Sequence, residues 1–405
     1  MKYRYTPFME LFLAPLLIAF FFSAFIYWEH FGFTSKALNT FSGLIALYAL
    51  LHAPKRTVLI SGFWIGLLWC YWIGFSFQYY GLGWAVWLVA LGFGIVYALY
   101  YGVMALTANA LIRAALLFGL TYVWPMDFNW MQPELIFVES YIGIHKWQFA
   151  LVLFALASTA IFSGAKKLLP LVLLVGAIQT SYVIPPLPNL KIKLVSTDIS
   201  QDFKWQSERL NQTIQENFDA IDEAIAHNYD LVILPEAAFP LYMNHYGEIS
   251  DALRERSQYI SILTGTLHEE NGLNYNVAYL YDHGNVTIAK KTILVPFGEY
   301  IPLPEFLRGW VNRTIFGGGS DFVTAEKPTD FTVKGVAFRN AICYEATRKE
   351  LYTPDVRYMI AISNNGWFKP SIEPTFQKLL IRFYARQNST VVFHATNGGG
   401  NGIVY

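Results

Sequence analysis

Up to about Pro186 the sequence is a succession of long apolar runs broken by short polar turns, and beyond it charged residues appear at the density of a globular domain. A chain divided in this way cannot fold as one water-soluble body, because its first half has too little polar surface to face water. Candidate spans run from Leu11 to Trp28, Ala37 to Leu51, Thr57 to Tyr79, Trp84 to Leu106, Leu111 to Trp124, Trp147 to Phe162 and Leu168 to Val183. Several approach the roughly 20 residues that a helix needs to cross a bilayer. Three are short, and the best count is about seven spans. The first run has no small-residue cleavage site and more spans follow it closely, so it reads as a retained helix and not as a signal peptide.

Basic residues between the runs set an orientation. Lys2 and Arg4, Lys55 and Arg56, Arg113, and Lys166 with Lys167 all fall on one side if seven helices alternate, whereas the other side carries only Lys36 and Lys146. The side rich in lysine and arginine is cytoplasmic by the positive-inside rule. An odd number of spans then delivers residues 187–405 to the outer face, the periplasm of a Gram-negative cell, from a domain of residues 1–186 in the inner membrane. Lysine plus arginine and aspartate plus glutamate number 29 each, so no overall basic field exists to hold nucleic acid. The two cysteines, Cys70 in an apolar span and Cys343 in the polar half, are not expected to pair.

Pro185-Pro186-Leu187-Pro188 makes a stiff exit from the last run, after which β-type and helix-type patterns alternate. Strands are expected at Lys191 to Ser196, Leu231 to Leu234, Tyr259 to Thr266, Val277 to Tyr281, Val336 to Ile342, Tyr358 to Ser363 and Thr390 to Ala395. The clearest helix is Asn211 to Asn228, where Ile214, Phe218, Ile221 and Ile225 recur on one face and read as core. Ile315 to Asp321, with Gly317-Gly318-Gly319 between Phe316 and Phe322, reads as a mobile loop and a candidate lid.

Three segments place a reactive residue directly after an apolar strand. Leu231-Val-Ile-Leu-Pro-Glu236 puts a carboxylate at the rim of a buried sheet, suited to general-base work. Taken alone, Glu236 reads equally well as a helix N-terminal acid or a solvated strand-end charge. Lys290-Lys291-Thr-Ile-Leu-Val-Pro-Phe-Gly-Glu299-Tyr300 holds two lysines and a glutamate around an apolar turn. A buried ammonium there can stabilise an oxyanion, and Glu299 can hold it in place. Lys290 reads better as a surface cation. Val336-Ala-Phe-Arg-Asn-Ala-Ile-Cys343-Tyr344-Glu345 ends a strand with a thiol, whose reactivity needs a base or a neighbouring cation. A lone cysteine in a strand is usually inert packing, the reading given to Cys70. The histidines form no H-E-x-x-H and no close pair, and there is no Cys-x-x-Cys, no Gly-x-Ser-x-Gly elbow and no phosphate-binding glycine loop. Neither a metal nor a cofactor is expected.

In this order and spacing the segments resemble the nitrilase superfamily, with a Glu-Lys-Cys triad on an αββα sandwich. Joined to N-terminal spans they are similar to the apolipoprotein N-acyltransferase family, most specifically through Lys291-x-x-Leu-Val-Pro-Phe-Gly-Glu299 and Cys343-Tyr344-Glu345. The resemblance implies a multi-span helical membrane domain followed by an α/β nitrilase-like domain over residues 187–405. It makes Glu236 the general base, Lys291 the oxyanion cation and Cys343 the nucleophile, with Trp205, Glu299, Tyr344 and Glu345 shaping the site. Asn364-Asn365-Gly366-Trp367 and Thr396-Asn397 resemble further loops of that fold. The implied reaction moves an acyl chain from a membrane phospholipid, phosphatidylethanolamine foremost, through a Cys343 thioester to the α-amino group of a diacylglyceryl-cysteine apolipoprotein. The partners expected are that lipid, the apolipoproteins and the bilayer, with the chain acting as a monomer.

This sequence departs from the family in two places. Phe128-Asn129-Trp130 stands where a fuller Trp- and Gly-rich motif is expected, and a last strand and a closing transmembrane helix are expected after Tyr405, where this sequence stops. The competing readings are a membrane-anchored amidase or hydrolase with the same triad, a lipid- or peptide-binding protein on an inactive nitrilase fold, and a transporter. The last is disfavoured by the few ionisable residues in the spans.

Overall fold

The computed structural model describes residues 7–296, 299 and 322–405. Lys2, Arg4, the Phe297, Gly298 and Tyr300 positions of the lysine motif and the expected Ile315 to Asp321 loop lie outside the described residues. The chain divides into two compact units, Met1–Tyr182 and Val183–Tyr405.

The first unit is helical. Its α-helices are α1 (Ala14–His30), α2 (Lys36–His52), α3 (Lys55–Cys70), α4 (Ala85–Gly102), α5 (Ala110–Leu120) and α6 (Lys146–Ser158). Extended by their neighbouring turns, three stretches are long and apolar enough to cross a membrane, Met9–His30, Lys55–Tyr80 and Ala85–Leu106. The shorter apolar helices are Ala110–Leu120 and Lys146–Ser158. The last expected run is a 3₁₀ segment, Gly164–Ala177, and not an α-helix. Pro170 lies inside it, and a proline cannot donate the backbone hydrogen bond that an α-turn needs there.

Close approach of α3 and α4 rests on Gly62 and Gly66, because a methyl group at either would come within 2.6 Å of Tyr97 atoms. In lipid, where apolar contact alone does not drive helices together, such small-residue seams supply the packing. Trp69 fills the neighbouring space against Phe22 and Phe25 and donates its indole N–H to Ser23 Oγ at 2.9 Å. Arg113 is buried, and its guanidinium donates to the main-chain carbonyls of Leu51, Ala53, Met104 and Thr107. One side chain thus satisfies backbone acceptors near the ends of α2 and α4, groups that are costly to leave bare at a helix end.

The second unit is a four-layer α/β sandwich. One sheet is β1 (Ile192–Leu194), β2 (Leu231–Ile233), β3 (Ser261–Glu270), β4 (Leu273–Asp282) and β5 (Asn285–Lys290), in that order across the sheet. The other comprises β6 (Asp330–Val333), β7 (Val336–Ile342), β8 (Tyr358–Asn364), β9 (Val391–Asn397) and β10 (Gly402–Val404), ordered β10-β9-β8-β7-β6. Within each sheet three strands run parallel, β1-β2-β3 and β7-β8-β9, and the remaining pairings are antiparallel.

Strand alternation builds two cores. Leu231 and Ile233 of β2 join Leu263, Ala278 and Leu280 of the first sheet and Ile360, Ile362 and Phe393 of the second in the layer between the sheets. Val232 and Leu234 face the other way, onto Phe218 and Ile221 of α8 (Ser207–Ala226) and Leu253 of α9 (Gly247–Arg256). The expected helix face therefore lies on this core, with Ile221 fully buried and Ile214, Phe218 and Ile225 partly so. A short helix, α7 (Gln201–Lys204), precedes α8, and α10 (Glu373–Asn388) lies between β8 and β9 in the chain. Three strands escaped the sequence reading: β5, β6 and β10.

Ile360 is fully buried between the sheets, so Ile360→Ala is expected to lower stability by about 2–5 kcal/mol. A drop in the thermal midpoint of the detergent-solubilised protein checks this.

Candidate active site

Glu236 and Cys343 stand at equivalent places, each just beyond the C-terminal end of a parallel strand, β2 and β7. At such ends the chain must turn away from the sheet and its side chains emerge into the open crevice. The residue after Glu236, Ala237, has φ of +48°, and Cys343 itself has φ of +57°, a left-handed conformation that few side chains adopt without surrounding support. Gly265 of β3 is required beside the first turn. A methyl group there would lie 2.6 Å from Glu236 Cα and 2.7 Å from Pro235 O.

Lys291 follows β5 and has no exposed surface. Its Nζ lies 2.8 Å from Glu299 Oε1, 2.7 Å from Glu299 Oε2 and 3.8 Å from Glu236 Oε1. Asn276 ties the two carboxylates together, its Nδ2 donating to Glu236 Oε1 at 2.8 Å and to Glu299 Oε1 at 3.1 Å. Glu299 Oε2 also accepts from the Val295 N–H at 2.9 Å. Burial by itself pulls the Lys291 ammonium toward neutrality, but the charges of Glu299 and Glu236 outweigh it and raise its pKa above the ordinary lysine value. Lys291 is thus held as a cation between the two carboxylates.

Burial pushes the Cys343 thiol well above its ordinary pKa, Glu236 adds to the rise, and Lys291 opposes it. Gln377 Nε2 on α10 approaches Sγ at 3.8 Å.

Glu345 clamps the cysteine turn to the lysine segment. Its buried carboxylate accepts from Ile342 N at 2.7 Å on one side, and from Thr292 N at 2.6 Å and Ile293 N at 3.1 Å on the other. Tyr344 is buried next to Cys343, with its ring near the Arg348 guanidinium. Trp205 is 46% exposed, and its indole N–H goes to Gln201 Oε1 at 3.3 Å and not to the Glu236–Lys291–Glu299 cluster. Asn364 and Asn397 form a buried link between strand ends, with Asn397 Nδ2 donating to Asn364 Oδ1 and to Ile199 O.

Four residues here were missed by sequence reasoning. Asn276 sits in the same inward-facing row of β4 as Ala278 and Leu280, and a polar side chain buried beside them was the available signal. Glu373 and Gln377 are buried four residues apart on α10 among Ile372, Phe376 and Leu380, a polar i,i+4 pair on an apolar face. Lys204 is buried on α7. Burial raises the Glu373 carboxyl well above its ordinary pKa, and the Glu236 charge raises it further. Among the described residues no group of His, Cys, Asp and Glu has the arrangement to hold a metal ion.

Residues 9–180 match the model of the apolipoprotein N-acyltransferase integral membrane domain, and residues 196–405 match that of the carbon-nitrogen hydrolases. The apolipoprotein N-acyltransferase of Wolinella succinogenes is 41% identical over 388 residues, 95% of this chain and 94% of that protein. The chain belongs to the apolipoprotein N-acyltransferase family. The proteins of that name from Helicobacter hepaticus and Helicobacter pylori are 37% and 32% identical, covering 90% of this chain in each case and 92% and 87% of their own lengths. Apolipoprotein N-acyltransferases thus align along both units, and this chain is a bacterial membrane acyltransferase with a nitrilase-type domain.

Two predictions follow from the geometry. Gly265→Ala must displace the Glu236 backbone, and a shift of about 1 Å at a reacting group costs roughly 100-fold in rate. Turnover of the variant is expected to fall by that order. Because the folded pKa of Glu373 is raised, its contribution to stability is complete below the unfolded carboxyl value and is lost as pH rises toward the folded one. The thermal midpoint of Glu373→Gln, which cannot ionise, is therefore expected to gain on the parent as pH is raised from about 5 to about 8.

Proposed function

We propose that this acyltransferase takes a fatty acyl chain from a membrane phospholipid, phosphatidylethanolamine foremost, and passes it through a Cys343 thioester to the α-amino group of a diacylglyceryl-cysteine apolipoprotein. The observation that carries the reading is the buried cation Lys291 held by Glu299 and Glu236 in the same cluster as the Cys343 thiol.

In the first half-reaction Glu236 accepts the thiol proton as Sγ attacks the ester carbonyl. Negative charge moves from sulfur to the carbonyl oxygen, where Lys291, with a backbone N–H near Tyr344, stabilises it. Collapse breaks the C–O bond, and Glu236 returns the proton to the departing lysophospholipid oxygen. In the second half-reaction the neutral amine attacks the thioester, Glu236 takes the proton released from nitrogen, and the thiolate leaves and is reprotonated. Glu299 and Asn276 hold the two charged groups in register throughout, and Glu345 fixes the cysteine turn. Trp205, exposed and tethered to Gln201, is available to contact the lipid part of a substrate.

Both substrates carry acyl chains that reside in a bilayer, a physical reason for joining such a site to membrane helices. Orientation by basic residues supports an inner-membrane location with residues 187–405 in the periplasm. The chain acts as a monomer without a cofactor. A hydrolase with the same triad would differ only in giving the acyl group to water, and the family membership favours transfer.

Mass spectrometry of the enzyme incubated with phosphatidylethanolamine, beside Cys343→Ala, followed by a diacylated lipopeptide, tests the proposal. An acyl adduct on Cys343 that disappears as the peptide amine gains the same chain is the expected result. Release of free fatty acid alone supports the hydrolase, and absence of any adduct removes the thioester.

A further inference from the structure

Helix α7 is built inside out. Two of its three polar residues, Gln201 and Lys204, are 4% and 2% exposed, whereas Phe203 and the adjoining Trp205 are 48% and 46% exposed. A short surface element normally does the reverse, since apolar surface gains and polar surface loses by leaving water. The buried side chains are used as bolts. Gln201 Nε2 donates to Asn364 Oδ1 at 2.8 Å, at the end of β8, and the same oxygen accepts from Asn397 Nδ2 at the end of β9. Lys204 Nζ reaches across to the first sheet and donates to the main-chain carbonyl of Glu236 at 3.1 Å.

The lysine is the unexpected choice. Sealing an ammonium away from water costs several kcal/mol unless a carboxylate pairs with it, and a methionine of similar length would fill the space without that penalty. Among the described residues no carboxylate lies within ion-pair distance of Lys204, and the one hydrogen bond its ammonium makes is to the Glu236 carbonyl. Burial lowers its pKa to about 8, with the Glu236 charge acting in the opposite sense. The amine is thus spent on one main-chain carbonyl beside Glu236, where a polar head does nothing for packing.

We infer that Lys204 is a positioning residue for Glu236: its ammonium fixes the main chain that carries the carboxylate and ties the Trp205-bearing helix to it. The inference rests on the general-base role proposed for Glu236. Lys204 touches neither substrate nor the reacting atoms; it acts by keeping the Glu236 side chain aimed at the cysteine through the main chain it holds.

The test uses the full-length protein in detergent, measuring the rate of Cys343 acylation by phosphatidylethanolamine together with the thermal midpoint for Lys204→Met, Lys204→Arg and Glu236→Gln. Lys204→Met is expected to keep or raise the midpoint, because it removes a desolvated charge, while acylation slows by about tenfold or more at an apparent KM for lipid within about a factor of two. Lys204→Arg, which keeps the charge, is expected to recover part of the rate. Acylation by Lys204→Met at the parent rate overturns the inference, and so does a rate loss that tracks a lowered midpoint and is not relieved by arginine, the signature of a brace alone. Near-parent acylation by Glu236→Gln instead marks failure of the general-base role itself, a result distinct from either.

Discussion

The ammonium of Lys291 has no exposed surface and shares its charge with Glu299 at 2.7 Å and Glu236 at 3.8 Å. A buried cation of this kind is tolerated only where opposite charge and hydrogen bonds surround it, and much of the local structure serves that requirement. Glu299 is held by Asn276 and the Val295 N–H, Asn276 bridges to Glu236, and Glu345 gathers the N–H groups of Thr292 and Ile293 next to the lysine. The same arrangement sets the chemistry. Two carboxylates keep the lysine charged, and the lysine opposes the rise that burial imposes on the Cys343 thiol; in the proposed reaction the single mobile proton passes between sulfur and Glu236. Negative charge appearing on a substrate oxygen then meets a cation that needs no reorganisation to receive it.

The helical unit answers a different constraint. In a bilayer every backbone polar group must find a partner within the protein, so a side chain that collects stray carbonyls is worth its own desolvation. Arg113 does this for residues 51, 53, 104 and 107. Its cationic head had been read from sequence only as an orientation signal between spans. The Gly62 and Gly66 seam with Tyr97 shows the other device, contact made close enough for dispersion to hold helices that hydrophobicity alone does not bring together.

What the sequence disclosed depended on how each residue contrasts with its neighbours. Glu236 and Cys343 each terminate an apolar run and Lys291 stands just before one, so they stood out, and the two-sheet core follows from the alternation of Leu231, Val232, Ile233 and Leu234. Asn276 was hidden in a strand that is buried on both faces, and only knowledge of which row faces the second sheet distinguishes it. Glu373, Gln377 and Lys204 look like solvated helix residues until burial is known, because charge on a helix is ordinarily a surface feature. Strand β5 was announced by the His283-Gly284 turn, whose φ values of +48° and +79° suit a tight hairpin, but its mixed Asn285–Lys290 sequence concealed it. Strands β6 and β10 are short edges, and the 3₁₀ form of Gly164–Ala177 depends on Pro170 within a run that otherwise reads as a span.

The central claim is that Lys291 acts on the transition state for Cys343 acylation and is not there merely to neutralise its carboxylates. Single-turnover acylation of Cys343 by phospholipid, compared between the parent and Lys291→Met at matched folded protein, measures this directly. The account predicts a loss of about 100- to 1000-fold, the size associated with removing one oxyanion donor. Acylation within a few-fold of the parent would contradict it.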